Sequence, residues 1–133
     1  MNVITRHTDY AIRAILYVAK AKGAVVSTTE LQHELQLPRP FMRKIFQILK
    51  KEGILKSLKG NKGGFLLAQP PEKLLLVDIM RIFQGGFSLT ECFLKKHICP
   101  NIKKCALRKR MKRIEGFVNK EFKKITIATL LKG

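Results

Sequence analysis

This sequence has no long apolar run and few acidic residues. It has 3 cysteines, an odd number, so at least one of them has no partner for a disulfide within the chain. No apolar run reaches the ~20 residues that a transmembrane helix needs, so no transmembrane helix is expected. Residues 1–13 lack the apolar segment and the small-residue cleavage site of a signal peptide, so we expect a cytoplasmic protein. With 3 cysteines and no export signal, a disulfide framework is not expected, and metal-binding thiolates are the better interpretation.

Catalytic motifs are absent as well. No Ser/His/Asp arrangement and no pair of carboxylates stands out, and the glycine-rich stretch 59–64 lacks the GK[ST] ending that a phosphate-binding P-loop needs. We therefore expect neither an enzyme nor a small-molecule substrate.

Positive charge is what the sequence has in excess. There are 27 lysines and arginines against 9 acidic residues, which gives a net charge of +18. Such an excess repels itself in the folded state, so a polyanionic partner is the natural explanation. Nucleic acid is the first choice and an anionic membrane surface the second. Hydrophobic residues make up 46% of the chain, which is enough for a core, and 133 residues fit one domain plus an appendage.

Apolar periodicity predicts two helices near the start of the chain. A helix over about 8–21 is indicated by apolar residues at i, i+3, i+4 and i+7. These residues are Ile12, Ile15, Leu16 and Ala19. Ser27 and Glu30 then form a capping-box pattern, in which the serine accepts an exposed helix N–H and the glutamate reaches back to the cap. This pattern predicts a short helix over about 28–36.

A third predicted helix, over 39–51, follows a proline-containing turn and separates into two faces at 100° per residue. The predicted apolar side carries Phe41, Ile45, Ile48 and Leu49. The predicted polar side carries Arg39, Arg43, Gln47 and Lys50. A recognition helix needs this division, because one side must anchor to its own domain while the other enters a DNA groove.

A β-hairpin and a fourth helix complete the first part of the chain. Two short apolar runs, 54–58 and 65–68, flank the glycine-rich and basic stretch 59–64 and predict a hairpin. Residues 75–83 are expected to form a helix. The order helix, short helix, turn, helix, basic hairpin is typical of a winged helix-turn-helix. The predicted fold class is therefore mainly α, a winged helix-turn-helix with a long C-terminal dimerisation helix.

The third helix and the hairpin tip hold the candidate DNA contacts. Arg43 suits guanine O6/N7 and Gln47 suits adenine N6/N7, whereas lysines more often meet phosphates. Glycines at the tip allow the backbone to approach DNA closely. The predicted set is Ser27, Thr28, Arg39, Phe41, Arg43, Lys44, Gln47, Lys50, Lys59, Asn61, Lys62 and Gly63. The alternative is an ordinary amphipathic surface helix beside an ordinary turn, but the order of elements together with the charge favours double-stranded DNA.

The irregular stretch 87–106 contains all three cysteines, Cys92, Cys99 and Cys105. Their spacing is too wide for a CxxC zinc knuckle. Three thiolates in a loop could hold an iron–sulfur cluster, with one further, non-cysteine ligand or with an open iron site. Nine basic residues and no acidic residue occupy 95–113, and they would help offset the negative charge of such a cluster. Three unligated thiols, or a zinc site completed by a histidine, are the alternatives.

The end of the chain carries a single apolar stripe on a long predicted helix. The stripe consists of Leu107, Met111, Ile114, Val118, Phe122 and Ile125. A second copy of the same helix is the simplest cover for it, which predicts a homodimer. The domain organisation that we expect is a DNA-binding winged helix-turn-helix over 1–84, a cysteine-containing cluster loop over 85–106, and a dimerisation helix with a C-terminal turn over 107–133.

The sequence resembles the Rrf2-type winged-helix transcription regulators, the IscR/NsrR-like family of iron–sulfur regulators. The resemblance is carried by ITRHTDYAIRAILYVA at 4–19, LPRPFMRKIFQILKKEGILKSLKGNKGGFLLAQPPE at 37–72, CFLKKHICPNIKKC at 92–105 and ITIATL at 125–130. It implies a dimer joined through a helix at about 105–124. It also implies a [2Fe-2S] or [4Fe-4S] cluster on the three cysteines, which senses iron, oxygen, nitric oxide or redox state and changes the affinity for DNA.

The fourth cluster ligand varies within this family. IscR-like members place a histidine three residues after the last cysteine, where this chain has Arg108. NsrR-like members use an aspartate of the partner subunit near the N-terminus, and Asp9 stands at the matching place. The alternative for Asp9 is an acid in a first helical turn that the helix dipole stabilises. His33 matches a ligand position of one redox-sensing branch, or is a surface residue.

The function predicted from the sequence is a DNA-binding transcriptional regulator, a repressor, that senses iron–sulfur, redox or nitric oxide status through a cysteine-ligated cluster. The first alternative is a cluster-free regulator of the same fold, controlled by a partner protein or by thiol oxidation. The second is an electron-transfer iron–sulfur protein whose basic surface docks an acidic redox partner.

Overall fold

The computed structural model describes residues 3–60, 63–89 and 104–133, and within these ranges the chain forms six α-helices and one β-hairpin. The elements are α1 (Arg6–Lys20), α2 (Thr28–Leu35), α3 (Arg39–Lys51), β1 (Leu55–Leu58), β2 (Gly64–Leu67), α4 (Leu76–Gln84), α5 (Ala106–Phe122) and α6 (Ile127–Lys132). A single 3₁₀ turn, Pro71–Lys73, precedes α4. This order confirms the predicted mainly helical winged-helix fold.

The start of α2 has only half of the predicted capping box. The Oγ atom of Ser27 accepts the backbone N–H of Glu30 at 3.1 Å, as expected. The Glu30 carboxylate, however, accepts a hydrogen bond from the Tyr17 hydroxyl at 2.8 Å instead of reaching back to the cap. The prediction for Glu30 was therefore wrong, because a donor on α1 competes successfully for the same carboxylate. This contact joins the surfaces of α1 and α2.

The core lies between α1, α3 and α4, and the buried side of α3 is shifted from the predicted one. Phe41 is 41% exposed, and Ile48 is only partly buried. The buried residues of α3 are Met42, Ile45, Phe46 and Leu49. These positions follow the i, i+3, i+4, i+7 pattern, which leaves residues 41 and 48 at the edge of the stripe. The inward assignment of Phe41 and Ile48 was wrong for this reason.

The hairpin is fastened to two helical elements. Its two strands are antiparallel, and β2 also pairs with Val26, which lies just before α2. The Val26 N–H donates to the Phe65 carbonyl at 2.9 Å, and the Phe65 N–H donates to the Val26 carbonyl at 2.8 Å. The ring of Phe65 stacks on that of Phe46, with centroids 4.6 Å apart and 15° between the planes. A Cβ at Gly64 would lie 2.2 Å from the Val26 carbonyl oxygen, so only glycine allows this approach.

Gln84, the last residue of α4, fastens that helix to the start of α1. Its Oε1 atom accepts the Thr5 N–H at 3.0 Å and the hydroxyl of the fully buried Thr8 at 2.8 Å. Its Nε2 atom donates to the carbonyls of Val3 at 2.9 Å and Gly86 at 3.2 Å. The chain therefore leaves α4 toward the cysteine segment from a point that is tied to the N-terminus of α1.

The two C-terminal helices pack very differently. No residue of α5 is buried, although the Phe122 ring meets Phe87 edge to face at a centroid distance of 5.4 Å. The shorter α6 returns to the core, where Ile127 is fully buried and donates its N–H to the Leu74 carbonyl at 2.9 Å. Among the helices described, none combines the length and the apolarity needed to cross a membrane.

Candidate nucleic-acid interface

The exposed face of α3 carries the side chains that the sequence assigned to DNA. Arg39, Arg43, Lys44, Gln47 and Lys50 are all exposed, and the apolar stripe on the other side of the helix holds them to the core. Neither Arg43 nor Lys50 forms an ion pair with any described residue. The donors of Arg43 and Lys50 are therefore available to an external acceptor.

A groove of about 410 Å³ separates α3 from the hairpin and the start of α2. Four of the predicted residues line it together: Thr28, Arg43, Gln47 and Lys50. Ser57 completes the polar lining, and Met42, Phe46 and Phe65 form the apolar part. Because the lining has two cations and no carboxylate, the groove suits a negatively charged ligand with an apolar portion.

Three other predicted residues surround this groove or lie apart from it. The Ser27 Oγ accepts the Glu30 N–H and can still donate its own hydroxyl hydrogen. Arg39 donates from Nε to the Oε1 atom of Gln32 at 3.4 Å, which links α3 to α2. Phe41 lies outside the residues that line the groove, and its ring packs against His7 at a centroid distance of 5.3 Å.

The hairpin tip is described only in part. Lys59 is exposed, and Gly63 is half-buried. A Cβ at Gly63 would lie 2.3 Å from the Leu58 carbonyl oxygen, so a side chain does not fit at this position. The predictions for Asn61 and Lys62 lie outside the described residues.

The predicted metal ligands fall mostly outside the described ranges. Cys92 and Cys99 are not among the described residues, whereas Cys105 is half-buried at the N-cap position of α5. A helix N-terminus favours a negatively charged ligand such as a thiolate, so Cys105 fits a thiolate-ligated group. Asp9 lies in the first turn of α1, where its Oδ2 atom pairs with the Nε of Arg13 at 3.0 Å. The side chain of His33 is exposed.

Sequence reasoning missed two residues of the groove and one contact between α1 and α2. Ser57 and Phe65 line the groove, and the alternation of β1 and β2 was the signal that could have placed them there. Tyr17 was missed because its partner Glu30 comes from another helix. The hydrogen bond to Glu30 stabilises the protonated phenol and raises the pKa of Tyr17 from 10.0 to about 12.

Comparison with known proteins gives a consistent match. Residues 4–133 match the family model Rrf2, described as iron-dependent transcriptional regulator. The chain is 31% identical over 124 residues to a putative HTH-type transcriptional regulator of Aquifex aeolicus, covering 92% of this chain and 86% of the relative.

Two solved structures have the same fold. A putative transcriptional regulator of Listeria innocua has a TM-score of 0.81 at 27% identity, and the match covers 97% of this chain and 85% of the other. CymR of B. subtilis, described as its global cysteine regulator, has a TM-score of 0.79 at 23% identity, with 99% and 98% covered.

Proposed function

The chain belongs to the Rrf2 family of iron-dependent transcriptional regulators, and we propose that it binds operator DNA as a homodimer through α3 and the hairpin. The named relatives are described as regulators of transcription. The observation that carries the proposal is the groove beside α3, where Thr28, Arg43 and Lys50 meet with no carboxylate among the lining residues.

The exposed face of α3 supplies the two kinds of contact that an operator requires. Arg43 and Gln47 carry the planar groups that bond guanine and adenine edges in the major groove. Lys44 and Lys50 are suited to phosphates, which fix orientation and carry no sequence information. Because α3 is anchored by four buried side chains, these groups are held on a rigid element.

The dimer is proposed from the exposed apolar residues of α5. Leu107 is 70% exposed, Ile114 50% and Phe117 68%, on a helix whose Phe122 packs against the core of its own chain. A two-fold pairing of α5 with α5 would cover this face with the same residues on each side. Two copies of α3 would then meet half-sites about one helical turn, ~34–36 Å, apart.

Binding to DNA is tested with an operator selected from a random duplex pool and with an unrelated duplex. We expect Arg43→Ala to lose ~1–3 kcal/mol on the operator and to relax its sequence preference. Lys62→Ala should weaken binding to both duplexes and flatten the salt slope by about one. Arg81→Ala and Lys20→Ala are the matched controls, because neither residue lines the groove. Losses as large in the controls would refute the assignment of the interface.

We further propose that Cys92, Cys99 and Cys105 hold an iron–sulfur cluster and that Asp9 is a candidate fourth ligand. Support comes from the position of Cys105 at the start of α5, and from the description of the family as iron-dependent. When bound, the cluster supplies a centre that reacts with oxidants and nitric oxide. In the sequence, the segment that contains Cys92 and Cys99 follows α4, whose last residue Gln84 contacts the start of α1, and Cys105 directly precedes α5.

Cluster sensing is tested on protein purified without oxygen. Iron and sulfide content are measured for the wild type, for Cys105→Ser, and for Asp9→Ala with Asp78→Ala as the control acid. We expect Cys105→Ser to lose iron and sulfide and the Asp78 variant to keep both. Operator affinity is then compared between cluster-loaded and cluster-free protein, and equal affinities would end the sensing proposal.

A second candidate is a cluster-free regulator that responds to thiol oxidation. The ion pair between Asp9 and Arg13 favours it, because that pair engages the carboxylate proposed as the fourth ligand. In this case, anaerobically purified protein contains no stoichiometric iron or sulfide, and mild oxidation of the thiols alone changes the operator affinity.

A further inference from the structure

The groove between α3 and the hairpin contains Ser57, a residue outside the predicted interface. Ser57 lies directly opposite Phe65 in the antiparallel pair, so both side chains lie on the same face of the hairpin. That face is turned toward α3, because Phe65 stacks on Phe46. The neighbouring Lys56 and Leu58 point to the opposite face, as alternation along a strand requires.

Thr28 reaches the same groove from the other side of Phe65. The strand β2 pairs with β1 along one edge and with Val26 along the other. Thr28 comes two residues after Val26, and Thr28, Ser57 and Phe65 all line the groove. Neither hydroxyl bonds to another side chain in the described part of the chain.

The position of the groove indicates which part of a duplex it meets. In the proposed complex α3 enters the major groove and the tip of the hairpin approaches the adjacent minor groove. A sugar–phosphate strand separates these two grooves of DNA, so that strand must pass between α3 and the hairpin. The lining agrees with this, because Arg43, Lys50 and the two hydroxyls suit phosphate oxygens, and the half-buried ring of Phe65, which stacks on the buried Phe46, suits the carbon face of a deoxyribose.

We infer that this groove holds one phosphodiester of the bound duplex and that Ser57 donates a hydrogen bond to its oxygen. The inference rests on the proposed function and adds a contact that fixes the register of α3 along the DNA. A contact of this kind is independent of sequence, so it contributes equally to operator and to unrelated DNA.

The test compares Ser57→Asp with Leu58→Asp. The two variants add the same charge at adjacent positions of β1 but on opposite faces of the hairpin, and Leu58 is 49% exposed, so its replacement leaves the core intact. Dissociation constants are measured on the selected operator and on an unrelated duplex, after thermal unfolding has verified that both variants are folded. We expect Ser57→Asp to lose about a hundredfold on both duplexes and Leu58→Asp less than about fivefold.

A second measurement identifies the atom that Ser57 contacts. Ser57→Ala should lose about tenfold, the loss expected for one hydrogen bond to a charged group. In operators that carry a single neutral methylphosphonate, scanned along the strand, this loss should vanish at one position. A loss that persists at every position would overturn the phosphate contact.

The remaining outcomes separate this inference from the proposal beneath it. Equal losses for Ser57→Asp and Leu58→Asp, or a loss confined to the operator, would overturn the phosphodiester assignment and leave the regulator intact. Failure of the wild type to bind any duplex in a salt-dependent way would instead overturn the proposed function, and this inference with it.

Discussion

Helices α3 and α5 are both amphipathic and both basic, but the apolar side of α3 is buried by its own chain, whereas much of the apolar side of α5 is exposed. Four side chains of α3 are buried, and Leu49 among them is fully enclosed. In α5, which has 17 residues, none is buried. A hydrophobic stripe in a sequence therefore predicts a packing contact, but it does not indicate whether that contact is made within the chain or with another molecule.

This difference assigns separate tasks to the two helices. Because α3 is held by the core and, through Phe46, by the hairpin, its exposed side chains keep their geometry in a single chain. In the proposed dimer, α5 instead sets the distance between the two copies of α3. Recognition of a half-site would thus be built into one chain, while recognition of a pair of half-sites would depend on the contact between copies.

The largest expected effect is on stability, and it tests the packing of α3 against the core of its own chain. Leu49→Ala should destabilise the protein by about 2–5 kcal/mol, because it leaves a cavity at a fully buried position. Urea unfolding followed by circular dichroism measures the change. Leu107→Ala makes the same deletion on α5, at a residue that is 70% exposed, and should change the unfolding free energy of a dilute sample by less than about 1 kcal/mol. Comparable losses of unfolding free energy in the two variants would contradict the proposed difference between α3 and α5.

The next largest effect is on self-association, and it tests the proposed packing of α5 against a second copy of the chain. Phe117→Asp should weaken self-association by about 2 kcal/mol or more, since an exposed aromatic residue on the proposed contact face is replaced by a charge. Sedimentation velocity over a range of concentrations measures it. Lys112→Asp, on the opposite side of α5, is the control and should leave association nearly unchanged. If the Phe117 variant dimerised like the wild type, α5 would not be the contact between copies.

The sequence predicted most of the fold and the polar face of α3, because these depend on local periodicity. The family resemblance predicted from four stretches is confirmed as well. Periodicity did not predict the positions of side chains that are set by contacts between different elements of the fold. Phe41 packs beside His7 instead of entering the core, and the Glu30 carboxylate is taken by Tyr17. The burial of Ile127 also depends on the return of α6 to the core, which no local pattern encodes.

The candidate site divides in the same way. Arg43, Gln47 and Lys50 were found because a recognition helix has a sequence pattern of its own. Ser57 and Phe65 were missed because their place in the groove follows from the register of the hairpin and from the bridge to Val26. The roles predicted for Cys92 and Cys99 remain predictions.

A third prediction concerns the Gln84 clamp, the four hydrogen bonds by which Gln84 at the end of α4 holds the start of α1 and Gly86. Gln84→Ala should lower the unfolding free energy by about 1–3 kcal/mol, because four hydrogen bonds lose their partner and one of them belongs to the buried Thr8 hydroxyl. Gln69→Ala removes a single exposed amide bond to the Gly53 carbonyl and should cost clearly less. A Gln84 variant as stable as the Gln69 variant would show that the clamp does not hold α4 to α1.

The smallest expected effect concerns the polar link between α1 and α2, and it depends on pH. The hydrogen bond to Glu30 raises the pKa of Tyr17 from 10.0 to about 12 in the folded chain, whereas the unfolded chain titrates near the ordinary value. The folded state therefore holds this proton more tightly, so the stabilisation is fully present below pH 10 and is lost as the pH rises toward 12. Unfolding free energies of the wild type and Tyr17→Phe should differ at pH 8 and converge over that interval. A constant difference up to pH 12 would mean that packing of the ring, and not its hydroxyl, links the two helices.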